Sequence, residues 1–89
     1  MIQYEVRFSE KALKALKRMD KQQAKFILAW IRKNLVNCEK PRQHGKGLTA
    51  NKKGYWRYRV GDYRLIAEIN DGIAQISMIH IGHRRDVYQ

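Results

Sequence analysis

Two arginines alternate with aromatic and apolar side chains in the segment Gly54–Val60, and this pattern suggests chemistry more directly than any other in the chain. Successive side chains of an extended strand point to opposite faces. Arg57 and Arg59 therefore share one face, and the other face is apolar (Trp56, Tyr58 and Val60). Because a guanidinium group offers parallel N–H donors that match phosphate oxygens, this strand predicts a surface that binds a nucleic-acid backbone.

Positive charge is concentrated around this strand. The chain has 19 basic and 8 acidic residues and a formal net charge of +11. Between Lys40 and Gly61 there is no acidic residue, whereas seven residues are basic: Lys40, Arg42, Lys46, Lys52, Lys53, Arg57 and Arg59. Such a charge distribution predicts an anionic partner, which can be a nucleic acid, an acidic protein or a membrane surface.

The length of 89 residues predicts one domain, residues 1–89, with a modest core. No apolar run approaches the roughly 18 residues of a membrane span, and Met1–Tyr4 does not begin a signal peptide. Cys38 is the only cysteine, which fits a reducing cytoplasm. The single cysteine and three histidines lack the spacing of a zinc site, so we expect neither metal nor cofactor.

The N-terminal half predicts one strand and two helices. The strand is indicated by alternation of Ile2, Tyr4, Val6 and Phe8 with polar residues. Ser9 and Asp20 are suitable N-caps for two helices that form a hairpin. The apolar positions of both helices recur at helical spacing: Ala12, Leu13, Leu16, Met19, Ala24, Ile27, Leu28, Ile31 and Leu35. From Val36 to Lys53 this periodicity ends, and we predict a basic loop.

The C-terminal half predicts three strands, residues 55–60, 63–69 and 73–81, with turns at Gly61-Asp62 and Asp71-Gly72. The element order β-α-α-β-β-β predicts an α+β fold, in which the N-terminal strand and helical hairpin pack on one face of an antiparallel sheet. Arg64 is one residue out of register with the inward-facing set (Leu65, Ala67 and Ile69). It is therefore predicted to join Arg57 and Arg59 on the open face.

Two late segments, Gly54–Ile66 and Ile79–Tyr88, resemble the RelE/ParE superfamily of bacterial and archaeal toxins, and more closely its RelE-like ribosome-dependent mRNA endonucleases. Phe8–Lys14 and Gly47-Leu48 also resemble segments of these toxins. The resemblance implies a RelE-like fold with a twisted sheet. It also implies cleavage of mRNA in the ribosomal A site, beside 16S rRNA, and control by a cognate antitoxin protein. The expected location is cytoplasmic, with no membrane partner.

The resemblance also implies residue roles. Arg64 matches the arginine of the family's Tyr-Arg pair, Arg84 matches the basic residue after a Gly-His or Gly-Lys step, and Tyr88 matches a C-terminal tyrosine. His83 lies near a position where some relatives have a histidine. These four residues are the expected catalytic group. The residues expected to bind RNA phosphates are Arg57, Arg59, Lys46, Lys52, Lys53 and Arg85.

The implied reaction is metal-independent attack of a ribose 2′-OH on the adjacent phosphate. Arginines would stabilise charge on phosphorus, and a base and an acid would move protons. Some relatives have a glutamate base before the Gly-aromatic strand, but here Lys46 lies near that position. The base is then Tyr88, His83 or another group that the sequence does not identify. The ordinary pKa of a tyrosine is about 10 and several nearby arginines would lower it, whereas the ordinary pKa of a histidine is about 6.5.

Two other functions remain open on the sequence. One is a non-enzymatic member of the same superfamily that poisons DNA gyrase and lacks the clustered catalytic side chains. The other is a passive RNA-binding module, which would lose affinity with salt and leave RNA intact.

Overall fold

The chain forms a five-stranded sheet with three helices in a computed structural model that describes residues 2–48 and 54–87. The elements in chain order are β1 (Glu5–Phe8), α1 (Glu10–Arg18), α2 (Lys21–Asn34), β2 (Lys46–Gly47), β3 (Tyr55–Val60), β4 (Tyr63–Asn70), β5 (Gln75–His83) and α3 (Arg84–Val87). The predicted α+β class and β-α-α-β-β-β order are confirmed, with the short β2 and α3 added.

Both long helices begin at the N-caps that the sequence predicts. The Ser9 hydroxyl accepts a hydrogen bond from the Ala12 backbone N–H at 3.0 Å. One Asp20 carboxylate oxygen accepts from the backbone N–H groups of Gln22 and Gln23 at 3.0 and 3.4 Å. These bonds satisfy N–H groups that have no partner within the helix. None of the helices in the described part of the chain is long and apolar enough to cross a membrane.

The strand order is β1-β5-β4-β3-β2. Strands β3, β4 and β5 form antiparallel hairpins, as predicted. The edge strand β1 instead pairs in parallel with β5, from Glu5 beside Gln75 to Phe8 beside Met78. The sheet is therefore mixed, and the expectation of a wholly antiparallel sheet is corrected. The connection from β1 to β5 contains two helices and three strands, which is long enough to allow parallel pairing.

The core lies between the helices and one face of the sheet. Three residues of β4, Leu65, Ala67 and Ile69, face inward as predicted and are at most 6% exposed. The other members of the buried cluster come from every layer: Tyr4, Ala12, Leu16, Ile27, Ile31, Leu35, Tyr58, Val60, Ile76, Met78 and Ile81. The helices therefore do not cover the opposite face of the sheet.

Several predicted strand ends differ from the structure: the first strand begins at Glu5 rather than Ile2, β4 ends at Asn70 rather than Ile69, and β5 ends at His83 rather than Ile81. The third strand of the C-terminal half begins at Gln75 rather than Ile73, because Ala74 has a φ of 50° and completes the turn. Ile73 is 63% exposed in that turn. The predicted basic loop of residues 36–53 also contains β2, which pairs with β3.

Candidate active site

The open face of the sheet brings together the basic residues of three strands. Arg59 of β3 lies directly opposite Arg64 of β4, and Lys46 of β2 lies directly opposite Arg57 of β3. Residues opposite each other in an antiparallel pair project from the same side of the sheet. The face predicted from alternation alone therefore holds all three arginines, with Lys46 added by the edge strand.

These side chains line a cleft of about 390 Å³ together with Gly45. Four of its five lining residues are cationic, and none is acidic. Like charges this close repel each other and raise the free energy of the unliganded protein. A bound chain of phosphates would remove that repulsion, so the cleft is suited to a polyanion.

Arg64 forms the buried base of the cleft. Its side chain lies in the sheet at 6% exposure, whereas Arg57 is half-buried and Arg59 is exposed. Gly82 is the residue opposite Arg64 on β5, and it has no side chain to compete for the space. Burial restricts the rotamers of a long side chain, so the guanidinium of Arg64 is held in place before any ligand binds.

The turn between β3 and β4 fixes the start of α3. The backbone N–H of Arg84 donates to the carbonyl oxygen of Asp62 at 2.8 Å. Arg84 follows Gly82 by two residues, so its Cα lies within roughly 12 Å of the Cα of Arg64. The exposed Arg84 and Arg85 thus begin α3 at the Arg64 end of the cleft.

His83 lies on the other side of the sheet from the arginines. It is directly opposite Tyr63, and the two rings are 5.5 Å apart in an edge-to-face arrangement. Its Nδ1 accepts a hydrogen bond from the Arg85 backbone N–H at 3.3 Å. The structure therefore does not bring the His83 ring into the cleft.

Three expected site residues, Tyr88, Lys52 and Lys53, lie outside the described residues. Among the residues that are described, no group of three or more histidine, cysteine, aspartate and glutamate side chains could hold a metal ion.

Gly45 and Lys46, which line one side of the cleft, belong to a segment that was predicted only as part of a basic loop. Residues 41–47 lie against β3, where Tyr58 donates to the Pro41 carbonyl and Trp56 donates to the His44 carbonyl. Burial raises the pKa of the Tyr58 hydroxyl far above its ordinary value, so the group remains a neutral donor. The available signal was Gly45-Lys46-Gly47, since two glycines around one lysine indicate close backbone approach.

The sequence and the fold are similar to those of known protein toxins. The family model described as "ParE toxin of type II toxin-antitoxin system, parDE" matches residues 6–88. "Toxin RelE" of Mycobacterium tuberculosis (strain ATCC 25618 / H37Rv) is 30% identical over 86 residues, which are 97% of this chain and 87% of that protein. The chain therefore belongs to the RelE/ParE superfamily of type II toxin–antitoxin toxins.

Solved structures agree on the fold. The toxin–antitoxin complex RelBE2 from Mycobacterium tuberculosis contains a chain that superposes with a TM-score of 0.79 at 24% identity, covering 93% of this chain and 100% of that chain. A mutant of E. coli toxin RelE in the free state superposes with a TM-score of 0.74 at 21% identity, covering 98% of this chain and 92% of that chain.

Proposed function

We propose that this toxin is an endoribonuclease that cleaves mRNA in the ribosomal A site by metal-independent attack of a ribose 2′-OH. The observation that supports the proposal is the cleft in which Lys46, Arg57 and Arg59 surround the buried Arg64. A cleft of this kind can bind consecutive phosphates. It can also stabilise the additional charge that develops on one of them during the reaction.

The reaction needs little from the protein because RNA contains its own nucleophile. The 2′-oxygen forms a bond to phosphorus while the bond from phosphorus to the 5′-oxygen breaks. The products are a 2′,3′-cyclic phosphate and a 5′-hydroxyl. The 2′-OH proton passes to a base, and the 5′-oxygen receives a proton. Arg57, Arg59 and Arg64 stabilise charge on the phosphate, and Arg84 assists the leaving oxygen.

Tyr88 is the proposed base. His83 was the other candidate, but its ring packs against Tyr63 on the opposite face from Arg64. A tyrosine hydroxyl ordinarily has a pKa near 10, and nearby arginines favour its ionised form. A tyrosine that reaches the cluster of cations in the cleft would be activated by it, and this is the role proposed for Tyr88.

The proposed partners are a cognate antitoxin, mRNA and the 16S rRNA of the ribosome, all in the cytoplasm. The net charge of +11 favours anionic partners. The exposed lysines of α1, Lys11, Lys14 and Lys17, offer further salt-dependent contacts to ribosomal RNA without base specificity. Lys52, Lys53 and Arg85 belong to the proposed phosphate contacts. An acidic or amphipathic antitoxin segment would inhibit the toxin by covering the same sheet face.

The test is primer extension on a defined mRNA with the purified protein, with and without programmed 70S ribosomes. Cuts within the A-site codon that depend on ribosomes support the proposal. A well-folded protein that cuts under neither condition would overturn it. The matching family model is that of a ParE toxin, so gyrase poisoning, which the sequence left open, is the second candidate. Inhibition of DNA supercoiling by the same preparation would favour that function.

A further inference from the structure

The segment of residues 41–47 is fastened to the core side of β3 by two side chains. The Tyr58 hydroxyl donates to the Pro41 carbonyl oxygen at 2.6 Å, and this bond is buried. The Trp56 indole N–H donates to the His44 carbonyl oxygen. Trp56 and Tyr58 alternate with Arg57 and Arg59 along β3. One face of the strand therefore presents the arginines, and the side chains of the other face bind residues 41–47.

The segment also contacts the backbone of β3 directly. Gly45 has a φ of 80°, and a Cβ added there would overlap the carbonyl oxygen of Arg57. At the next two positions Lys46 pairs with Arg57 and Gly47 pairs with Trp56. A Cβ added at Gly47 would lie 3.1 Å from the Trp56 ring. The backbone next to Lys46 thus has little freedom to move away from the cleft.

A third attachment lies on the N-terminal side of Lys46. The Arg42 guanidinium makes two hydrogen bonds to the Asp71 carboxylate, at 3.0 and 3.1 Å, and lies 6.0 Å from the centre of the Trp56 ring. The Tyr4 hydroxyl donates to the same carboxylate at 2.6 Å. The Arg42 guanidinium therefore attaches the segment to Asp71, whereas the Lys46 side chain lines the cleft.

We infer that Trp56 and Tyr58 are positioning residues, which act through residues 41–47 to hold Lys46 beside Arg57 for phosphate binding. The inference rests on the proposed function, because it assigns Lys46 to the same RNA. A lysine on an unanchored loop would lose backbone and side-chain entropy on binding. Anchoring the segment in advance removes that cost and aligns the ammonium with the arginines.

The test is a double-mutant cycle between Trp56→Phe and Lys46→Gln. The probe is a short RNA oligonucleotide with 2′-deoxy substitutions that prevent cleavage, and its affinity is measured over a range of salt concentrations. Loss of one phosphate contact reduces the slope of log affinity against log salt by about 0.7. It weakens binding by roughly fivefold at moderate salt. We expect Trp56→Phe, Lys46→Gln and the double variant to show the same reduction in slope and in affinity, equal to the loss of one phosphate contact.

Ile76→Val is the matched control, since it trims a buried side chain on β5 and should lower the melting temperature without changing the salt slope. Tyr58→Phe gives a second route to loosening the segment and should reproduce Trp56→Phe. A wild-type slope in Trp56→Phe, or losses that add in the double variant, would overturn the inference. Absence of binding by the wild-type protein both to the free RNA and to ribosomes programmed with it would instead count against the proposed function itself.

Discussion

Arg59 and Arg64 lie directly opposite each other on β3 and β4, so both side chains project from the open face of the sheet. Like charges at directly opposite positions destabilise an antiparallel pair. A phosphate bound by both groups would offset this repulsion. The pair therefore links the stability of the free toxin to its proposed affinity for RNA.

The first prediction concerns the stability of the free protein. Arg59→Gln should raise the free energy of unfolding by about 0.5 kcal/mol at low salt, because it removes one charge of the opposed pair. Chemical denaturation measures the change, and added salt should reduce it. Arg7→Gln is the control: it removes the same charge, but Arg7 forms an ion pair with Glu5 at 2.7 Å. A stability gain of equal size in both variants would contradict the account.

The second prediction concerns cleavage. Arg64→Ala and Arg84→Ala should each reduce the single-turnover rate at least about a hundredfold, as loss of one donor to a developing oxyanion does. Arg64→Lys should recover only part of the rate, because an ammonium keeps the charge but lacks the paired N–H donors. Arg32→Ala, at an exposed position in the last turn of α2, is the control. Circular dichroism should show that all variants fold. Unchanged rates would remove Arg64 and Arg84 from the site.

The third prediction separates backbone strain from steric overlap. Gly45 and Gly54 have nearly the same φ, 80° and 77°, but among the described residues only Gly45 has a neighbouring atom where a Cβ would lie. Alanine at Gly54 should cost about 1 kcal/mol through φ alone. Alanine at Gly45 should cost clearly more, because the segment must also move away from the Arg57 carbonyl. Thermal unfolding compares the two variants, and equal losses would show that the close approach does not matter.

The fourth prediction concerns acid stability. Hydrogen bonds from Arg42 and then Tyr4 hold the pKa of the Asp71 carboxyl below its ordinary value. A lowered pKa in the folded state stabilises the protein above the unfolded pKa of about 3.9, and this stabilisation is lost as the pH falls through the folded pKa. The difference in unfolding free energy between the wild-type protein and Asp71→Asn should therefore be largest near neutrality and should shrink as the pH falls below about 4. A difference that does not change with pH would contradict this assignment.

Local signals in the sequence were sufficient for most of the fold. Ser9 and Asp20 cap the helices because their side chains bond to nearby backbone groups, which is a local property. The two-residue turn at Gly61-Asp62 likewise determines the register of β3 and β4. Alternation then places Arg57 and Arg59 on the open face, and the register adds Arg64.

The parts that could not be predicted depend on contacts between distant residues. The parallel pairing of β1 with β5 joins Glu5 to Gln75, and no turn motif specifies it. β2 has only two residues and therefore shows no periodicity. Its position depends on the bonds from Trp56 and Tyr58, which are visible only once the chain is folded. The face occupied by His83 also follows from the register of the last strand.

Cleavage of an mRNA with a single 2′-deoxynucleotide in the A-site codon tests the central claim most directly. Programmed ribosomes would carry either this mRNA or its all-ribose counterpart, and primer extension would locate the cuts. We expect the all-ribose mRNA to be cut and the bond next to the 2′-deoxynucleotide to stay intact, because the nucleophile has been removed. Equal cleavage of both mRNAs at that bond would contradict attack by the 2′-OH and the mechanism assigned to the arginine cleft.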